Sequence, residues 1–133
     1  MSYLIDSDWI ANYLNGRQPA VDLLHSLEPS GLAISLIAYG EIYEGIFFGG
    51  QPEASERSFQ SFLRAVDVIP LDLAIMRRFA RIRGELRRSG QIVGDPDLLI
   101  AATAIEHDLI LISGNERHFG RVPGLRLYRP PQP

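Results

Sequence analysis

Short apolar runs alternate along this chain with longer stretches whose apolar residues recur at helical spacing. That alternation marks β–α–β units and a mostly parallel sheet covered by helices. Tyr3-Leu4-Ile5 reads as the first strand, and Asp8 then caps a helix that runs to about Asn15, with Gly16 as its stop signal. Pro19 begins a second helix that ends near Leu27, before the turn Glu28-Pro29-Ser30-Gly31. Residues 32–35 form a second strand, followed by a helix to about Phe48 that Gly49-Gly50 ends. Residues 52–64 read as another helix with Phe59, Phe62 and Leu63 on one face, and 66–69 as a short strand. The longest helix covers 71–89, where Ile75, Phe79, Ile82 and Leu86 recur at i, i+4, i+7 and i+11 and Gly90 follows. A helix over 95–106, a strand over 110–113 and an edge strand over 125–127 precede the tail Pro130-Pro131-Gln132-Pro133. No repeat, linker or low-complexity segment interrupts the pattern. The expected fold is a single α/β domain, 1–133, with three layers.

At 133 residues and 46% hydrophobic content, the chain fits one domain with one core and is too apolar for disorder. It has no cysteine, which excludes disulfides, thiolate metal sites and a cysteine nucleophile. Asp6 and Asp8 interrupt the first apolar run, so no signal peptide is read there, and no stretch reaches a membrane span. A cytoplasmic location is the expectation. All 13 basic residues are arginine, so any mechanism that requires a lysine is ruled out. The net charge of −3 is not that of a generic nucleic-acid binder. Charge is uneven, however: residues 77–88 hold six arginines and one glutamate.

The acids carry the candidate chemistry, because they fall at strand ends or in the first turns of the helices that follow. In an α/β domain the carboxyl ends of the strands share one sheet edge, where ligands bind. Carboxylates gathered there repel one another, and hard oxygen donors suit Mg²⁺ or Mn²⁺. Asp6 projects from the first strand as a metal ligand, with an ordinary turn residue as the alternative. Asp8 reads first as a helix N-cap. Glu41 lies among Tyr39, Ile42 and Tyr43 on a helix that looks packed, where a carboxylate needs a partner or a metal. Glu44, one turn on, reads as solvated. Asp95 is placed as N-cap before Pro96, and Asp97 sits in the first turn of an almost charge-free helix, where the dipole favours a carboxylate. Ser113-Gly114-Asn115-Glu116 adds a fourth polar group: Asn115 can coordinate a metal or orient a water, while Glu116 can simply cap a short turn.

His25, His107 and His118 show no zinc spacing; His118, near Asn115, reads first as a surface residue, with contact to a substrate phosphate as the alternative. There is no glycine-rich phosphate loop and no serine nucleophile elbow. The arginines of residues 77–88 are the wet face of an amphipathic helix, with RNA phosphate contact as a modest further reading.

Four segments carry a family resemblance. They are Tyr3-Leu4-Ile5-Asp6-Ser7; Ser35 followed after five residues by Glu41-Ile42 and after two more by Gly45; Gly94-Asp95-Pro96-Asp97 through Ala104; and Ser113-Gly114-Asn115 followed after three residues by Phe119. In order and spacing they resemble PIN-domain proteins, and among these the VapC-type toxins of type II toxin–antitoxin pairs. The resemblance spans essentially the whole chain, and 97–104 is its most specific segment. It implies a Mg²⁺- or Mn²⁺-dependent endoribonuclease whose acidic cluster is Asp6, Glu41 and Asp97, with Asn115 at the fourth position and Ser113 in place of the more usual threonine. It also implies an RNA substrate and a cognate antitoxin that obstructs the acidic pocket, lying across Trp9, Tyr13, Tyr43, Phe47 and Phe48, about half of which belong to the core. A homodimer built at the sheet edge follows from it too, and with antitoxin a heterotetramer or larger assembly.

Two other classes compete. Asp6-Ser7-Asp8 mimics the acid pair of haloacid-dehalogenase-like phosphotransferases, although Trp9-Ile10 stands where Gly-Thr is usual and there is no lysine. A non-catalytic, metal-stabilised binding module is the third possibility.

Overall fold

The computed structural model describes residues 2–129, so the prolines and glutamine of the 130–133 tail lie outside the described residues. Four strands form one sheet: β1 (Tyr3–Ile5), β2 (Leu32–Ser35), β3 (Asp67–Ile69) and β4 (Ile110–Ile112). Their order is β3-β2-β1-β4, and every pairing is parallel. Leu4 pairs with Ala33 on one side and Leu111 on the other. Among the described residues the α-helices are α1 (Ser7–Leu14), α2 (Gln18–Leu27), α3 (Leu36–Phe47), α4 (Pro52–Leu63), α5 (Leu73–Arg88), α6 (Asp95–Glu106) and α7 (Glu116–Phe119), with a 3₁₀ turn at Glu28–Ser30.

The strands are apolar without alternation because helices cover both faces of the sheet. Successive side chains still point to opposite sides. Leu4, Ala33 and Leu111 face a cluster with Ile75, Ile82 and Leu86 of α5 and Leu98, Ala101 and Ala102 of α6. Ile5, Ile34 and Ile112 face the other cluster, with Ile10, Leu24, Ile42, Ile46, Phe59 and Phe62. The result is the three-layer α/β arrangement that the sequence pattern implies. Gly16 and Gly90, at φ +71° and +72°, occupy the left-handed position just past α1 and α5, where a side chain would be strained.

Several boundaries move, and the caps explain most of them. The cap of α1 is Asp6, whose carboxylate accepts from the Ser7 backbone N–H, and not Asp8. Gly94 rather than Asp95 caps α6, and Asp95 is turned to Arg83, whose Nε lies 2.9 Å from its Oδ1. Asp72 starts α5 by accepting from the Ile75 N–H at 2.8 Å. The strand expected over 125–127 is reduced to a single bridge between Leu111 and Leu127. Two backbone hydrogen bonds hold it: Leu111 N–H to the Arg126 carbonyl and Tyr128 N–H to the Leu111 carbonyl.

The aromatic packing generates a stability prediction. Phe59 is fully buried, and its ring centroid lies 5.7 Å from that of Tyr39 and 5.4 Å from that of Tyr43. Phe59→Ala should cost about 3–5 kcal/mol in chemical denaturation, because the cavity cannot close around rigid rings. A loss below about 1 kcal/mol would mean that α4 is not packed as described.

Candidate active site

The parallel sheet brings the carboxyl ends of β1, β2 and β4 to one edge, and each delivers a polar residue there. Asp6 follows β1, Ser35 ends β2 and starts the helix that carries Glu41, and Ser113 follows β4. Asp97 comes to the same edge in the first turn of α6.

Asp6 is the most constrained of these groups. It is 6% exposed, and both carboxylate oxygens are engaged. Oδ1 accepts from the Ser7 backbone N–H at 2.8 Å, and Oδ2 accepts from the Ser113 hydroxyl at 2.7 Å. Burial is the main reason that its pKa is raised from 3.8 to about 6. The nearby charges of Asp8 and Asp97 push it further up, while the Ser113 and Ser7 hydrogen bonds pull it down.

A chain of contacts links Asp6 to Asp97. The Ser113 hydroxyl also accepts from the Asn115 backbone N–H at 3.0 Å. The Asn115 side-chain amide donates to Asp97 Oδ2 at 3.2 Å and meets His118 Nδ1 at 3.1 Å. His118 Nδ1 lies 3.6 Å from Asp97 Oδ2. His118 therefore belongs to this cluster and is not the plain surface residue that the sequence suggested.

Asp8 closes the loop after β4 onto α1. Its Oδ2 accepts from the Gly114 backbone N–H at 2.8 Å, and its Oδ1 from the Trp9 N–H. A Cβ at position 114 would sit 2.8 Å from that same Oδ2, so a side chain there would displace the Asp8 carboxylate from its bond to the loop. Glu41 lies on the exposed side of α3, with Ala38, Ile42 and Ile46 buried instead. The packed-helix premise for Glu41 is thus incorrect. Partial burial still raises its pKa, with the Ser7 hydroxyl opposing and Asp97, Glu44 and Asp8 reinforcing the rise. Glu44 is exposed, as expected. Asp95 is committed to Arg83, and Glu116 to Arg129 at 3.0 Å.

Glu41 and Asp8 also border a cleft of about 570 Å³ whose apolar lining includes Ala11, Leu14, Ile42 and Ile46. Among the described residues, no three His, Cys, Asp or Glu side chains already converge as a metal cage. The donor chemistry nevertheless suits a hard divalent cation: carboxylate oxygens, one of them buried and surrounded by like charge. The sequence places Ser113 and Gly114 in the fourth segment without a role of their own, and it gives no role to Ser7. The Ser-Gly pair directly after an apolar strand was the available signal for the first two.

Three comparisons bear on the chain. The model of a family described as PIN domain matches residues 3–125. "Ribonuclease VapC2" of Haemophilus influenzae is 31% identical over 127 residues, covering 95% of this chain and 96% of that protein. "tRNA(fMet)-specific endonuclease VapC" of Shigella flexneri is 29% identical over 126 residues, covering 95% and 96%. The crystal structure of VapBC2 from Rickettsia felis, bound to a DNA fragment from their promoter, matches with a TM-score of 0.90 at 27% identity, covering 96% of this chain and 98% of that one.

The raised pKa of Asp6 has a consequence for stability. A carboxylate harder to ionise in the folded state destabilises the fold once pH exceeds its unfolded pKa. Its contribution is therefore fully present below pH 3.8 and lost as pH rises through about 6. With chelator present, the stability of Asp6→Asn relative to the wild type should improve by about 3 kcal/mol between pH 3.5 and pH 7.5. Urea denaturation across that range measures it; a difference independent of pH would show that Asp6 is not desolvated.

Proposed function

This chain belongs to the PIN-domain family, and we propose that it is a VapC-type toxin of a toxin–antitoxin pair that hydrolyses RNA phosphodiester bonds. The observation that carries this reading is a coincidence of two facts. The family match spans nearly the whole chain, and within it Asp6, Asp97 and Asn115 are joined through Ser113 at the sheet edge.

Asp6 and Asp97 would hold Mg²⁺ or Mn²⁺, with Glu41 completing the shell; the ion would supply a lowered pKa for bound water and offset charge developing on the phosphate oxygens. The remaining work falls to the chain itself. Ser113 and the Ser7 N–H fix the orientation of Asp6, so its oxygens need no reorganisation during the reaction. Asn115 orients Asp97 by donating a side-chain amide hydrogen to it, and the same amide nitrogen lies against His118 Nδ1. Asp8 anchors the Gly114 loop, which keeps Ser113 and Asn115 in register with α1. Glu41 borders the cleft with a raised pKa, which suits it to orient the attacking water and accept its proton. No side-chain nucleophile is required.

The partner is a cognate antitoxin; the matched Rickettsia felis structure is a VapBC complex. Its binding surface would be the apolar cleft beside Glu41, together with Phe47 (63% exposed) and Phe48 (87% exposed) at the end of α3. Trp9, Tyr13 and Tyr43 are instead half-buried against the core, which divides the five aromatics about as the sequence suggested. A homodimer, becoming a heterotetramer or larger with antitoxin, would use the edge strand β3, beside which Leu36, Val68 and Leu73 are exposed. Among the described residues no helix is long and apolar enough to cross a membrane, and we place the activity in the cytoplasm.

Asp6→Asn and Asp97→Asn should each reduce cleavage of an RNA panel by at least about 100-fold and abolish host toxicity, while circular dichroism reports an intact fold. Chelator should abolish wild-type cleavage, and Mg²⁺ or Mn²⁺ should restore it. Cleavage that survives either substitution would remove these carboxylates from the mechanism. Intact binding without any cleavage would favour the binding module, and a trapped acyl-phosphate on Asp6 the phosphotransferase.

A further inference from the structure

Helix α5 carries charge for which the site described above has no use. Residues 77–88 contribute +5 to a chain whose net charge is −3. At 100° per residue, Arg77, Arg81 and Arg88 fall within about 40° of one another on the side opposite Ile75, Ile82 and Leu86. All three are exposed, and among the described residues none makes an ion pair. Arg78 and Arg83, off that line, pair with Glu106 and Asp95, each at 2.9 Å.

We propose that this stripe binds the sugar–phosphate backbone of single-stranded RNA away from the scissile phosphate. The proposal rests on the ribonuclease reading. Three observations point to an anionic backbone rather than to a merely solvated face.

The first is a built recess. Arg77, Arg78 and Arg81 line a concavity of about 400 Å³ with Ala74 and Glu106. Glu106 accepts from Nε of Arg78, which orients the guanidinium and leaves its two terminal nitrogens available for a phosphate fork. Ala74 is too small to fill the space.

The second is Gly84, which falls on the same line, between Arg81 and Arg88. A Cβ there would meet nothing within 4 Å, so packing does not explain a glycine in the middle of an exposed helix, where it is less favourable than alanine. Its effect is to let a strand approach the helix backbone closely.

The third is electrostatic. The acidic edge of the sheet repels RNA, so attraction must come from elsewhere on the chain. Like charges at i and i+4, as at Arg77 and Arg81, also cost helix stability that a bound polyanion would relieve. Helix α5 runs antiparallel beside α6, with Arg83 on Asp95 at the start of α6 and Arg78 on Glu106 at its end. The stripe therefore leads from the Asp97 end of α6 towards the recess at its far end, along which a strand leaving the acidic pocket would run.

The test measures binding of a fluorescein-labelled single-stranded RNA by anisotropy, in an Asp97→Asn background, across about 50 to 300 mM salt. Neutralising Arg77, Arg81 and Arg88 to Gln should weaken binding roughly 10- to 100-fold at low salt and reduce the slope of log affinity against log salt by about 2. A control triple that neutralises the exposed Arg17, Arg57 and Arg64 should do far less. Gly84→Gln, which leaves charge unchanged, should raise thermal stability yet weaken binding several-fold; a face that is only solvated would show the stability gain alone. Unchanged affinity in the α5 triple, or equal loss in the control, overturns the stripe. Wild-type cleavage is assayed alongside. Absence of cleavage with stripe-dependent binding sinks the nuclease reading but supports the stripe, whereas cleavage with stripe-independent binding does the reverse.

Discussion

Asp6 is a carboxylate taken almost wholly out of water at the end of the strand beside which β2 and β4 are paired. Burial and two neighbouring acids oppose its ionisation; one hydroxyl and one backbone N–H favour it. The opposing effects win, leaving a pKa of about 6. A fold that tolerates this has placed a carboxylate where water cannot balance its charge, and the proposed cation would offset it. The neighbouring geometry follows from keeping that carboxylate fixed: Ser113 bonds to it, Asn115 to Ser113, and Asp97 to Asn115.

The architecture makes that fixation inexpensive. Three parallel strands end together, so Asp6, Ser35 and Ser113 meet without any long loop. The almost charge-free helix α6 can lie against the sheet because Leu98, Ile100, Ala101, Ala102 and Ala104 are all buried, and this sets its first turn, with Asp97, at the same edge. Gly114 lets the loop after β4 come close to Asp8. The same strand ends serve the fold as well, since Asp6 caps α1 and Ser35 caps α3, so the polar residues of this edge are held by the helices they start.

Much of this was legible from residue order. Apolar runs located all four strands, and topology alone assigned Asp6, Asp97 and Asn115 to one edge. What escaped was decided by contacts distant in sequence. Asp6 and Asp8 are both plausible caps of α1; Asp8 is diverted by the Gly114 N–H, 106 positions away. Asp95 looked like a cap until Arg83 claimed it. The helix carrying Glu41 is apolar nearly all round, so periodicity does not say which side faces water, and the packed position expected for Glu41 is an exposed one. His118 lies on a four-residue helix, too short for any pattern to orient it. The 125–127 run alternates apolar and polar residues but holds no β-branched or aromatic side chain, and only one bridge forms there.

The most direct test follows the Asp6 carboxyl carbon by NMR as pH is varied, with chelator and then with saturating Mg²⁺. The account predicts a midpoint near 6 with chelator and a fall below the ordinary aspartate value of 3.8 once Mg²⁺ is bound. A midpoint that Mg²⁺ does not move would contradict the claim that this buried charge exists to hold a metal.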